Sequence, residues 1–328
     1  MKNPSNPTYW KFLSDILLVT KEKEKGDKAI TIASEMRPTD LSILWNKANY
    51  ALLIQNQRLA EKRFRKLLTL WDRSLDDIFD ILQKAMKEDD IILNVIPENF
   101  TVLSRYLNYL IASNNLKSAK LVWERLSKYN KLIKPEQKCK FINFLIKEKK
   151  LQEAYRLWAN IAHPQNSLIF DGDFECSTPY NSCLFNWQIP QIKGVKVLKD
   201  SHTKLEGEKS LLISFDGTKN PHLNIYQLVI IKPNTKYLFS GFIKTDNITT
   251  QNGLIVEIRD WLTKKIITKT PIFTETMDWK NWELYFKTDK NQNSILVSIK
   301  RYPSSKFDNI IEGKAWIDNI TLKEIRLS

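Results

Sequence analysis

The sequence holds only three histidines, His163, His202 and His222, and each stands alone near a turn. No phosphate-cradling glycine run, nucleophile elbow or zinc-spaced Cys/His pairing accompanies them, so the usual constellations of metal-assisted, nucleophilic and phosphoryl-transfer chemistry are missing. Carboxylates are plentiful, yet no spacing sets two of them apart as acid and base. The chain reads as a non-enzyme. Long hydrophobic runs are missing too: nothing approaches the roughly 18–20 apolar residues that span a bilayer. The polar start, residues 1–7, has no signal-peptide core. As written, the chain belongs in the cytoplasm; with an anchor outside this sequence it would be periplasmic or membrane-associated.

Cysteine is scarce, with three residues in all. Cys139 sits in a helical apolar pattern and reads as a small core residue. Cys176 and Cys183 flank the loop 177–182, which a bridge between them would pin in an oxidising compartment; in a reducing one both would be free thiols. Acidic charge is also in deficit. The net charge is +14, and about +10 of it lies in residues 1–164 (about 29 Lys and Arg against about 19 Asp and Glu). A basic half can attract nucleic acid or an anionic membrane. The chain is, however, rich in Lys, Ile and Asn throughout, and no basic motif of a known reader fold appears, so nucleic acid is not an expected partner.

What the chain does contain divides into two texts. Up to residue 163, apolar positions recur at three and four, as in Leu44, Ala48, Ala51 and Leu52, or Leu103, Tyr106, Leu107 and Leu110. Gly26, Pro38, Pro97, Pro135 and Pro164 punctuate them. A phrase repeats: Ala29, Ala60, Ala119 and Ala154 each open the second helix of a hairpin, and in the last three copies Phe64, Trp123 and Trp158 follow four residues later on the same face. The spacings of about 31, 59 and 35 residues leave room for a degenerate hairpin near Leu75–Ala85. The other reading of this half is an irregular helical bundle.

After Ala162-His163-Pro164-Gln165-Asn166-Ser167 the period switches to two. Short strands are expected at 195–197, 210–215, 224–230, 236–243, 254–258, 283–286 and 295–299, separated by Glu206-Gly207, Asp216-Gly217, Lys232-Pro233-Asn234 and Asn252-Gly253. That even spacing predicts an antiparallel β-sandwich. The predicted organisation is a multidomain α-then-β chain, with a helical repeat domain over 1–163 and a sandwich over 168–328.

Two phrases bracket the β half: Leu168-Ile169-Phe170-Asp171-Gly172-Asp173-Phe174-Glu175 and Ala315-Trp316-Ile317-Asp318-Asn319-Ile320-Thr321-Leu322. They resemble the first and last strands of the galactose-binding-like jelly roll of bacterial carbohydrate-binding modules. The Ala-and-aromatic phrase resembles the second helix of tetratricopeptide repeats. With Asn6-Pro7-Thr8-Tyr9-Trp10, Phe185-Asn186-Trp187-Gln188-Ile189, Tyr226-Gln227 and Gly313-Lys314, the whole is similar to bacterial tetratricopeptide-repeat proteins carrying a carbohydrate-binding-like domain and associated with exopolysaccharide production. The resemblance implies a non-catalytic interaction protein, its helical array binding a protein partner and its jelly roll binding a polysaccharide. The alternative is a structural scaffold whose β domain has lost sugar binding.

Sugar rings stack on Trp and Tyr. Trp187, Tyr226, Trp261 and Tyr302 are the candidate platform residues; Trp279 and Trp282, expected to flank a turn, and Trp316, expected in the core, read as structural. The resemblance also implies a structural calcium tying the first strand to the last. On a strand, Asp173 and Glu175 would share one face with Phe174 pointing inward, Asp318 would join them, and the loop 205–208 would add carbonyls, an oxygen set that suits a hard cation. The other reading of Asp318 is a turn cap or an acceptor of backbone N–H bonds.

Overall fold

A computed structural model describes residues 5–71, 75–86, 89–162, 167–176 and 183–325, the side chain of Asp90 apart. The chain forms two compact units, Met1–Lys134 and Pro135–Ser328. The first contains α1 (Pro7–Val19), α2 (Lys23–Met36), α3 (Leu41–Leu53), α4 (Gln57–Leu70), α5 (Asp76–Ala85), α6 (Asp89–Val95), α7 (Phe100–Ala112) and α8 (Leu116–Ser127). Asn6, Asp40, Asn56, Asn99 and Asn115 start five of these helices, each side chain accepting a first-turn N–H.

The repeat lies in the turns as much as in the alanines. Lys21, Gln55 and Asn114 follow α1, α3 and α7 with left-handed φ of 65°, 60° and 55°. At each, the next N–H reaches back across the turn: Glu22 to Leu17 O, Asn56 to Ala51 O and Asn115 to Leu110 O. This is the Schellman closure, which satisfies the last carbonyls of one helix and aims the next one back along it. Lys149 makes the same turn in the second unit, where Lys150 N donates to Leu145 O. Ala29, Ala60, Ala119 and Ala154 are all buried, as close helix approach requires. The 59-residue gap holds α5 and the short α6.

The second unit begins with helices α9 (Pro135–Lys147) and α10 (Leu151–Ala162) and continues with nine strands: β1 (Val195–Asp200), β2 (Ser210–Lys219), β3 (Leu223–Ile230), β4 (Lys236–Ile248), β5 (Ile255–Asp260), β6 (Ile266–Lys269), β7 (Glu275–Lys287), β8 (Ser294–Arg301) and β9 (Ile310–Glu324). They make two antiparallel sheets, in the orders β1-β2-β9-β4-β7 and β3-β8-β5-β6. Period-two burial builds the core between them: on β4, Tyr237, Phe239 and Ile243 face inward to meet Ile225, Val256, Ile258, Val297 and Ile299. The last helix ends at Ala162 and the first strand begins only at Val195, with residues 163–166 lying outside those described. The compact units divide one hairpin earlier, because α9 and α10 are bound to the β part. Cys139 on α9 forms a disulfide with Cys183, Asn143 accepts from Leu184 N (3.0 Å), and Trp158 on α10 donates to Asn186 Oδ1 (2.7 Å) while packing against Phe170 and Phe185.

The disulfide corrects the expected cysteine chemistry. Cys183 is paired with Cys139, and Cys176 is the free thiol among the described residues. The loop 177–182 lies outside them. Residues 170–173 are turn and 174 is a bend, with Asp171 and Phe174 at positive φ, so the opening phrase is not a strand. It still meets the closing one: Ile320 N donates to Gly172 O (2.8 Å), and a Cβ on Gly172 would lie 2.0 Å from Ile320 O. Only glycine permits that approach. Two structural aromatics differ from expectation: Trp279 and Trp282 lie inside β7 and do not flank a turn, Trp282 in the core. Trp316 is buried, as expected, and donates to Asp200 Oδ2 (2.7 Å).

Candidate functional site

The four-stranded sheet turns Val256 and Ile258 of β5, and Ile295, Val297 and Ile299 of β8, into the core. The alternate residues therefore form its other face, on which Leu228, Ser294, Glu257, Ser298 and Lys300 are themselves buried and Asn224, Tyr226, Trp261 and Tyr302 are partly exposed. Register fixes their rows: Tyr226, Ser298, Glu257 and Lys269 are cross-strand neighbours, and Asn224 lies beside Lys300. Trp261 extends β5 by one rung, its N–H reaching Ser294 O (3.3 Å), which places it on the side of Glu257 and Arg259. Tyr302 follows β8 and points its hydroxyl at Glu257. From the rung of Ser294 to Tyr302 is about 25 Å along the strand. A ligand touching both ends of this face needs several sugar units.

At its centre is a buried polar hub. The Glu257 side chain is fully buried, yet it accepts from Arg259 Nε, Lys300 Nζ (2.7 Å) and Tyr302 Oη (2.7 Å). Burial works against its charge, and the bonds from Arg259, Lys300 and Tyr302 outweigh it, holding the carboxyl below the usual glutamate range. The guanidinium of Arg259 also donates to the Tyr302 hydroxyl and to Lys264 O (3.1 Å). Tyr302 is thereby fixed in place, and burial followed by the neighbouring Glu257 raises its phenol pKa. Lys264 holds its ammonium 3.5 Å from the centre of the Trp261 ring, a cation–π contact that settles the indole. Asn224 Oδ1 is buried without a hydrogen-bond partner among the described residues.

Three of the four candidate platform residues, Tyr226, Trp261 and Tyr302, thus share one face. Trp187 does not: it is 1% exposed, sits in the sandwich core against Phe174, and donates Nε1 to Asp171 O (3.0 Å). An indole so enclosed presents no ring to a sugar. Sequence reading missed Glu257, Arg259, Lys300 and Asn224. The alternation Glu257-x-Arg259 and Lys300-x-Tyr302 was visible, but which strands lie side by side was not.

The expected calcium ligands are arranged differently from the expectation. Asp173 is exposed. Glu175 Oε1 accepts from Glu208 N (2.6 Å) and Lys209 N (2.9 Å), while Asp318 Oδ2 accepts from Leu205 N (3.0 Å) and Glu206 N (3.5 Å), and Oδ1 from Asn319 N (2.8 Å). The 205–209 loop turns amides, not carbonyls, toward the two carboxylates. Amides favour anionic oxygen and repel a cation, so this donor set does not fit calcium; no group of three or more His, Cys, Asp or Glu suited to a metal occurs among the described residues. Burial raises the Asp318 pKa despite the amides of Leu205, Asn319 and Glu206. For the partly exposed Glu175, burial is outweighed by the amides of Lys209 and Glu208, and its pKa falls. His202 and His222 are exposed, and His163 lies outside the described residues. No helix among those residues is long and apolar enough to cross a membrane.

No protein-family profile matches the chain. It is similar to the tRNA(Glu)-specific nuclease WapA of Bacillus subtilis subsp. natto (strain BEST195), at 26% identity over 172 residues, 49% of this chain and 7% of that protein. The match thus spans a small fraction of the relative's length. Among solved structures, a family 16 carbohydrate-binding module shows 24% identity over 42% of this chain and 90% of the module, with a TM-score of 0.31. The module TmCBM61 in complex with β-1,4-galactotriose shows 17% identity over 49% of this chain and all of the module, with a TM-score of 0.35.

Proposed function

We propose that the protein is a non-catalytic binding protein whose β-sandwich holds a polysaccharide on the face of the β3-β8-β5-β6 sheet turned away from the core. The observation that carries this reading is the grouping of Tyr226, Trp261 and Tyr302 on one face around the Glu257 hub. Aromatic rings offer apolar faces to sugar rings, and the fixed polar groups between them can meet hydroxyls, the composition expected of a small-ligand site. The helical unit is read as the partner-binding part. A groove of about 670 Å³ there is lined by Asp40, Leu41, Trp45, Trp71, Asp77 and Ile81, which suits a peptide segment of a protein partner. Exopolysaccharide production is the setting that the sequence resemblance suggests. The Cys139–Cys183 bond supports a periplasmic or otherwise oxidising location, because such bonds are rare in reducing compartments.

The test is a glycan array probed with the full chain, followed by titration of any polysaccharide bound. Binding should disappear in Tyr226→Ala and in Trp261→Ala while the melting temperature stays within about 2 °C, as expected for partly exposed positions. If no polysaccharide binds, the scaffold reading takes its place.

A further inference from the structure

The charge on the sheet face is unbalanced. Arg259, Lys264, Lys269 and Lys300 stand against Glu257, and Asp260, engaged by Thr263 N–H (2.6 Å) and Gln292 Nε2 (3.0 Å), is the other carboxylate of the β5–β6 hairpin. With Lys265 of the same hairpin, five cations against two carboxylates leave three in excess. Two of the cations are not ordinary solvated surface groups: the side chains of Arg259 and Lys300 are only 22% and 11% exposed, and both lean on the same Glu257 carboxylate. A buried cation without full compensation is costly, and an anion brought to this face would relieve it. Arg259 already spends its three nitrogens on Glu257, Lys264 O and Tyr302. The cations with donors left for a ligand are Lys269 at the rim and Lys300 at the hub, whose ammonium has three N–H groups and gives one bond to Glu257. Beside Lys300 in register, the buried Asn224 Oδ1 lacks a partner among the described residues, and a turn of this partly exposed side chain would bring it to a hydroxyl donor. An anionic group beside a hydroxyl, on a face that also carries aromatic rings, describes an acidic sugar.

We propose that the polysaccharide bound by this face is anionic, carrying carboxylate, sulfate or phosphate groups that Lys300 and Lys269 recognise while Asn224 accepts from a sugar hydroxyl. This inference rests on the polysaccharide reading above, and the experiment separates the two.

Isothermal titration of the full chain would use matched pairs that differ chiefly in charge: polygalacturonate and its methyl ester, alginate and its propylene glycol ester, dextran sulfate and dextran. For at least one pair the charged member should bind about tenfold tighter at low salt, where the Debye length is near 30 Å, and the preference should vanish near 1 M salt, where it is near 3 Å. Lys269→Glu should reduce that preference about tenfold; Lys269→Met, which removes the charge without reversing it, should fall between. Because a protein of net charge +14 attracts polyanions generally, the preferred ligand must also be lost in Tyr226→Ala. A charged ligand still bound by Tyr226→Ala overturns the proposal as unspecific attraction. Neutral members binding as tightly as their charged partners overturn it and leave the polysaccharide reading standing. Failure of every pair, and of the array, removes both.

Discussion

Replacing Glu257 with glutamine keeps the shape of the hub and deletes its charge. In the native protein this fully buried carboxylate accepts bonds from Arg259, Lys300 and Tyr302. Glutamine retains one carbonyl oxygen and brings two N–H donors toward a guanidinium and an ammonium that themselves only donate. Removing one partner of a buried charge pair typically costs about 3–5 kcal/mol, chiefly because the remaining charges lose compensation. Arg259 is 22% exposed and can turn partly to water, so the lower end of that range, about 3 kcal/mol, is expected. No cavity contribution enters, since the volumes match. The assay is urea unfolding of the full chain at neutral pH, followed by tryptophan fluorescence and fitted to allow two transitions, because the two compact units need not unfold together. Glu257→Gln/Lys300→Met should recover part of the loss, having removed the uncompensated ammonium as well. The sign of the pH dependence follows from the depressed pKa of Glu257. Its stabilisation is fully present above the ordinary glutamate range and is lost as pH falls through the lower folded-state value. The gap between wild type and Glu257→Gln should therefore be widest at neutral pH and close in acid. A loss below about 1 kcal/mol, the scale of an exposed ion pair, or a gap independent of pH would refute the reasoning.

The disulfide makes a mass-spectrometric prediction: alkylation of denatured, unreduced protein should add one group, at Cys176, and three after reduction. In the native state Cys176 should react slowly, since burial and the nearby Asp171 raise its pKa. Cys183→Ser should cost about 4 kcal/mol by the loop-entropy relation for a separation of 44 residues, read by urea unfolding; loss of less than about 1 kcal/mol would show that the bond does not constrain the chain. The amide-bound carboxylates of Glu175 and Asp318 predict superimposable melting curves of the full chain in EDTA and in calcium. A lower melting temperature in EDTA would reinstate the calcium expected from the sequence.

Helix and strand were legible because their signals are local. The three-and-four spacing around Leu103 and Leu110 and the alternation from Tyr237 to Ile243 each report one buried face, and the core residues follow from it. The helical repeat was blurred because its turns use Lys21, Gln55, Asn114 and Lys149 at a left-handed position where glycine would have announced them. The candidate site was half legible. Tyr226, Trp261 and Tyr302 stood out as aromatics, but Trp187 has the same chemistry and lies in the core. What separates them is which strands become neighbours, and that is settled by burial across the whole sandwich. Glu257 and Tyr302 are 45 residues apart and meet only because β5 pairs with β8. The cysteine pairing and the turning of the 205–209 amides toward Asp318 have the same origin. Residue type and period determined what each segment could be; contacts between distant segments decided which side chains share a surface and which charges lack a partner.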